Sequence, residues 1–99
     1  MNFLDQYTNT IQQLCSDHHV KQLYAFGSVL TDRFGQESDI DLVVDFEEVN
    51  LDDYADNYYG LKFSLEKILN RSIDLLEAKA IKNPFFEQAL LKNRYLVYG

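Results

Sequence analysis

Residues 39–46 read DIDLVVDF, and Asp39 and Asp41 alternate with Ile40, Leu42 and Val44 at the two-residue period of a β-strand. One face of that strand is aliphatic and belongs in a core. The opposite face carries two carboxylates spaced about 6.5–7 Å apart. A strand that only had to fold would gain nothing from this arrangement. The sequence must therefore supply a partly buried sheet, and a reason for acidic groups on its far side.

The neighbouring segments supply the sheet. Leu4, Tyr7, Ile11, Leu14, Cys15 and His18 recur at helical spacing and predict an amphipathic helix over 3–18. VKQLYAF, residues 20–26, is rich in strand formers and ends abruptly at Gly27-Ser28, as a strand entering a turn. VLTDRF, residues 29–34, is a short helical candidate stopped by Gly35. After the strand at 39–46, Leu51, Tyr54, Tyr58, Leu61, Leu65 and Leu69 mark a long helix over 51–69, closed by Asn70-Arg71. SIDLLE, residues 72–77, predicts a third strand. Asn83-Pro84 is a helix start, with Asn as cap and Pro at the first helical position, and that helix covers about 85–93. The tail RYLVYG is compatible with a short strand or a packed terminus. The order predicts one small α/β domain over residues 1–99, a short sheet covered by helices.

Composition narrows the functional classes. A hydrophobic fraction of 46% in 99 residues suits one modest core and excludes a disordered chain. No apolar run approaches the roughly 20 residues of a membrane span, and MNFLDQYTNT does not read as a secretory signal. A single cysteine excludes an internal disulfide framework; Cys15 is expected as a packed thiol in a reducing, cytoplasmic setting. The net charge of −7 argues against duplex nucleic acid as the main partner. It is also uneven: residues 1–60 hold twelve acidic and two basic side chains, residues 61–99 four and seven. An acidic half suits a metal or a basic partner.

The chemistry is concentrated in two places. Asp39, Asp41 and Asp74 each sit in a β-rich segment that carries Ile and Leu. If the third strand pairs beside the second, the three carboxylates converge and repel one another. A divalent cation would relieve that repulsion, and hard oxygen ligands suit Mg²⁺. Upstream, Gly27-Ser28 lies between a strand and a helical turn, where backbone N–H groups and a hydroxyl can meet phosphate oxygens. Phosphate cradle and carboxylate metal site together are the equipment of phosphoryl or nucleotidyl transfer. Neither a P-loop nor a GxGxxG fingerprint is present.

Gly-Ser, ten residues, then Asp-Ile-Asp resembles the signature of the polymerase-β-like nucleotidyltransferases. LYAFGS, SDIDLVVDF and IDLLEAKAIKNP extend the likeness over nearly the whole chain, to the minimal nucleotidyltransferase antitoxins of HEPN toxin–antitoxin pairs. The resemblance implies a small mixed sheet flanked by helices and a nucleotidyltransferase that moves AMP from ATP to a protein hydroxyl. It implies two Mg²⁺ ions on Asp39, Asp41 and Asp74, with Asp74 helping to accept the proton of the attacking hydroxyl, and nucleotide phosphates on Gly27 and Ser28. Arg33, the first basic residue after Gly-Ser, is a further candidate for phosphate contact; many relatives carry an arginine sooner. The implied partner is a HEPN ribonuclease toxin modified on a tyrosine. Neutralisation by binding alone and transfer to a small molecule are the competing readings, and a homo-oligomer is possible.

The remaining candidates have plainer readings. His18 and His19 close the first helix, where a cation suits the dipole. Tyr54 and Tyr58 are expected in the core, while Tyr59 falls off that stripe as an exposed partner contact. The acidic run from 45 to 56 is a solvated face or a docking surface. Lys79 and Lys82 are expected at the surface.

Overall fold

The structure, a computed structural model describing residues 3–99, is built on a four-stranded mixed sheet in the order β3-β2-β1-β4. The chain runs from a 3-10 turn (Phe3–Tyr7) into α1 (Thr8–Asp17), β1 (Val20–Phe26), a 3-10 turn (Gly27–Leu30), β2 (Ile40–Phe46) and α2 (Leu51–Leu69). It continues through β3 (Ile73–Glu77), α3 (Pro84–Asn93) and β4 (Tyr95–Tyr98). β1 pairs antiparallel with β2 and with β4, and β2 pairs parallel with β3. The parallel pair needs a crossover, which α2 provides. The predicted small mixed sheet flanked by helices is the observed fold.

Strand alternation divides the sheet into two faces. Leu23, Ala25, Ile40, Leu42, Val44, Ile73 and Leu75 point inward and meet Leu4, Ile11 and Cys15 on one side, Leu61, Leu65 and Leu69 on the other. Cys15 is fully buried and its thiol is pushed up to about 12 by desolvation, the inert packed state expected for it. Tyr54 and Tyr58 border this core, and the Tyr58 hydroxyl donates to the Leu75 carbonyl. Tyr59 is half exposed and stacks on exposed Phe63. The opposite face carries Tyr24, Phe26, Asp41, Val43, Asp74 and Leu76, with α3 lying against part of it through Leu90 and the contact of Phe86 with Phe26. No described helix is long and apolar enough to cross a membrane.

The structure corrects several local expectations. The helix expected at 3–18 begins as a 3-10 turn and becomes α-helical only at Thr8. His18 caps it, with Nδ1 2.8 Å from the Leu14 carbonyl, and His19 turns the chain at φ 58°. No helix forms at 29–34. The turn starts earlier, at Gly27, and stops at Leu30. There the Thr31 hydroxyl donates to the Ser28 carbonyl at 3.0 Å and accepts from the Arg33 N–H at 3.2 Å. Such local side-chain bonds give the backbone an alternative to continuing a helix. Asp39 precedes β2 instead of lying in it, and the ambiguous tail is the edge strand β4.

Asn83 is the cap that the sequence suggested. Its Oδ1 accepts from the N–H of Phe85 at 2.9 Å and of Phe86 at 3.3 Å. Asn83→Ala should therefore cost about 0.5–2 kcal/mol. For a chain of this size each kcal/mol is about 4–8 °C in Tm, measurable by thermal unfolding monitored by circular dichroism. An unchanged Tm would mean that Pro84 alone sets the start of α3.

Candidate active site

The outer face of the sheet gathers the predicted carboxylates at one end. Asp41 and Asp74 are register partners in the parallel ladder, so their Cα atoms sit on neighbouring strands. Asp41 is also the register partner of Phe26, the last residue before Gly27. Asp39 lies two residues earlier, in the exposed loop that enters β2. Asp41 is half-buried, and its carboxyl is raised above the ordinary range first by desolvation, then by the charges of Asp74 and Asp39. The three groups thus share one field. Among the described residues, none of the three carboxylates has an ion-pair or side-chain hydrogen-bond partner.

Gly27 shows how closely the two halves of the motif approach. It adopts φ +75°, a conformation that side-chain-bearing residues rarely take, and a Cβ added there would lie 2.7 Å from Asp41 Oδ2. Only glycine lets the turn pass directly behind the carboxylate. The next residue, Ser28, then lines an open cleft of about 630 Å³ together with Gly27, Thr31 and Arg33. Arg33 is exposed and lines the same cleft as the Gly-Ser pair, five positions after Ser28.

The opposite wall of this cleft was not anticipated. Phe86, Ala89 and Asn93 face Gly27-Ser28 from α3. Their signal in the sequence was faint: an aromatic pair, Phe85-Phe86, directly after a helix cap and without a long apolar stripe behind it. Arg71 is a second omission. Its guanidinium lies 4.5 Å from the Phe34 ring centre and 5.0 Å from that of Phe3, and it donates to the Gly35 carbonyl. It thereby pins the loop that delivers Asp39.

Whether these residues fit a divalent cation can be judged from the donor set. Asp39, Asp41 and Asp74 offer only hard carboxylate oxygens, and Asp41 is held among like charges that a cation would relieve. Among the described residues no three His, Cys, Asp or Glu side chains are grouped so as to hold a metal ion together. Mg²⁺ is commonly bound by one or two carboxylates, with phosphate oxygens and waters completing its shell. The residues fit that mode.

Residues 8–97 match the family described as "Nucleotidyltransferase domain". The chain belongs to this nucleotidyltransferase family. Its fold is that of the polymerase-β-like nucleotidyltransferases, and the chain is an enzyme of that class. Two relatives from Methanocaldococcus jannaschii, both named "Putative protein adenylyltransferase", are 37% and 33% identical over 73 residues. That is 74% of this nucleotidyltransferase and 72% and 71% of theirs. A solved "putative minimal nucleotidyltransferase" superposes with TM-score 0.78 at 26% identity, covering 96% of this chain and 95% of that one. A further fold neighbour is an MNT antitoxin in complex with a tri-AMPylated Shewanella oneidensis HEPN toxin. It gives TM-score 0.66 at 19% identity, over 96% of this nucleotidyltransferase and 71% of that chain.

Proposed function

We propose that the protein is a Mg²⁺-dependent adenylyltransferase that transfers AMP from ATP to a tyrosine hydroxyl of a HEPN ribonuclease toxin, and so acts as an antitoxin in the cytoplasm. The observation that carries this reading is the contact of the two motif halves. The Asp41 carboxylate lies against Gly27 and beside Asp74 in register, and Gly27 itself lines the cleft that holds Ser28 and Arg33. The names of the Methanocaldococcus relatives, and of toxin–antitoxin fold neighbours solved with AMP-PNP or with an AMPylated toxin, support the substrate and partner.

Each residue then has a task. The Gly27 and Ser28 backbone, with the Ser28 hydroxyl, would hold the β- and γ-phosphates, and Arg33 would add charge to the same oxygens. Asp39, Asp41 and Asp74 would hold Mg²⁺, which when bound neutralises phosphate charge and lowers the barrier to attack. Asp74, the more exposed of the register pair, is placed to accept the proton of the incoming hydroxyl. The hydroxyl oxygen forms a bond to the α-phosphorus, the bond to the bridging oxygen breaks, and pyrophosphate leaves.

The test is to incubate the protein with Mg²⁺, α-labelled ATP and its co-purifying cellular partner. Label should appear on a partner tyrosine, disappear with EDTA, and be absent with Asp39→Asn. A stable complex without label would favour neutralisation by binding alone. The exposed Tyr59–Phe63 stack on α2 is the surface that supports that second reading.

A further inference from the structure

A second groove lies on the outer sheet face, under the other flank of α3. Tyr24 and Val43 of the sheet line it, with Ile81, Leu90, Leu91 and Arg94, and Ala78 and the acidic Glu87 complete a lining around about 250 Å³. Neither aspartate of the register pair lines it, but its position relative to them follows from the strand pairing. Along the outer face, Phe26, Asp41 and Asp74 form one row. Tyr24, Val43 and Leu76 form the next, two residues away, about 6.5–7 Å along the strands. Gly27-Ser28 lies past the end of β1, on the other side of the carboxylate row. The order along the strand axis is therefore phosphate cradle, carboxylates, groove.

In-line displacement suits that order. The leaving pyrophosphate and the attacking oxygen must stand on opposite sides of the α-phosphorus. With pyrophosphate held on the Gly27-Ser28 side, as the adenylyltransferase reading has it, a hydroxyl entering from the side of Val43 stands opposite the leaving group. We propose that the groove between the sheet and α3 is the acceptor subsite, and that it takes the aromatic ring of a tyrosine whose hydroxyl reaches the Asp41–Asp74 row. The proposal rests on the adenylyltransferase reading above and deepens it by placing the acceptor.

The chemistry of the groove selects that side chain. Val43, Ile81, Leu90 and Leu91 offer aliphatic surface to a ring, and Arg94 already lies 4.0 Å over the Tyr24 ring, an arrangement that accepts a further aromatic edge. Tyrosine combines an apolar body with a polar tip, so it can fill the groove and still present its hydroxyl to the carboxylates. A serine would leave the aliphatic walls uncovered. The volume falls below the roughly 300–1,000 Å³ of pockets that enclose drug-sized molecules, so it suits one side chain better than an antibiotic.

The experiment is a titration of ¹⁵N-labelled protein, with Mg²⁺ and AMP-PNP present, using N-acetyl-L-tyrosinamide and, separately, N-acetyl-L-serinamide. Tyrosinamide should shift the amides of Tyr24, Val43 and Leu91 saturably, and serinamide should not. Leu91 is 55% exposed, so Leu91→Lys leaves the core untouched. That variant should weaken tyrosinamide binding at least about tenfold, while AMP-PNP affinity stays within about twofold. Shifts confined to another surface, an equal response to serinamide, or an unaffected Leu91→Lys variant would each overturn the assignment. Failure of AMP-PNP to bind would instead count against the adenylyltransferase reading, and the tyrosinamide titration alone would still decide the groove.

Discussion

Replacing Asp41 by Asn is expected to lower AMP transfer by about 10²–10³-fold or more while raising the melting temperature of the metal-free protein. On the proposed adenylyltransferase reading, the first effect follows from the loss of a charge beside the reacting phosphate, where one preorganised electrostatic group is commonly worth that factor. The second follows from the raised carboxyl of Asp41, which burial and then the charges of Asp74 and Asp39 hold above its ordinary value. Between the unfolded value, about 3.9, and the raised native one, the native state binds more protons than the unfolded chain. Stability therefore falls as pH rises through that window, and the deficit persists at neutral pH. Asn removes it.

Like charges directly opposite on paired strands cost about 0.2–1 kcal/mol. For a domain of this size that corresponds to about 1–8 °C in Tm. Below the unfolded carboxylate value the two proteins should melt alike; at pH 7 the Asn variant should melt higher. Adding Mg²⁺ should then stabilise the wild type by mass action and leave the variant nearly unchanged. A lower Tm for Asp41→Asn at neutral pH would mean that the carboxylate is structurally paired, and unchanged transfer would remove it from the site.

Gly27→Ala should damage both stability and activity, by two separable routes. At φ +75° a Cβ costs about 1–2 kcal/mol through backbone strain, or about 4–16 °C in Tm. The same Cβ would also meet Asp41 Oδ2 at 2.7 Å, so the carboxylate must rotate away. Displacing a catalytic group by about 1 Å can cost 10²-fold in rate. Ser28→Ala, which adds no atom and changes no backbone angle, should reduce nucleotide affinity with little change in Tm. Nucleotide binding by calorimetry, read beside thermal melts, separates the routes. A Gly27→Ala protein that melts normally and transfers AMP normally would contradict both.

How much of this was legible without coordinates depends on the range of the interaction. α2 ends where the apolar stripe from Leu51 to Leu69 ends, because Asn70 takes a left-handed turn at φ 53°. β1 ends at Phe26 because Gly27 follows, and Asn83-Pro84 starts α3 through its own side chain. These are local devices written in adjacent residues. The helix expected over 29–34 failed for an equally local reason that pattern reading passed over, the competing bonds of the Thr31 hydroxyl.

By itself the sequence determined α1, β1, β2, α2, β3 and α3 in their order, the aliphatic and acidic faces of β2, and the residues of the two candidate motif halves, since periodicity and turn chemistry act over a few residues. Only the tertiary structure decided the rest. The parallel register set Asp74 against Asp41 across 33 positions of chain, and antiparallel pairing set Phe26 against Asp41, bringing Gly27 to the carboxylate. Packing of α3 on the outer sheet face then divided that face into two grooves, one beside Gly27-Ser28 and one over Val43. Neither groove is written in any short stretch, because each is made of side chains from strands and a helix whose meeting depends on strand pairing and burial of the whole core.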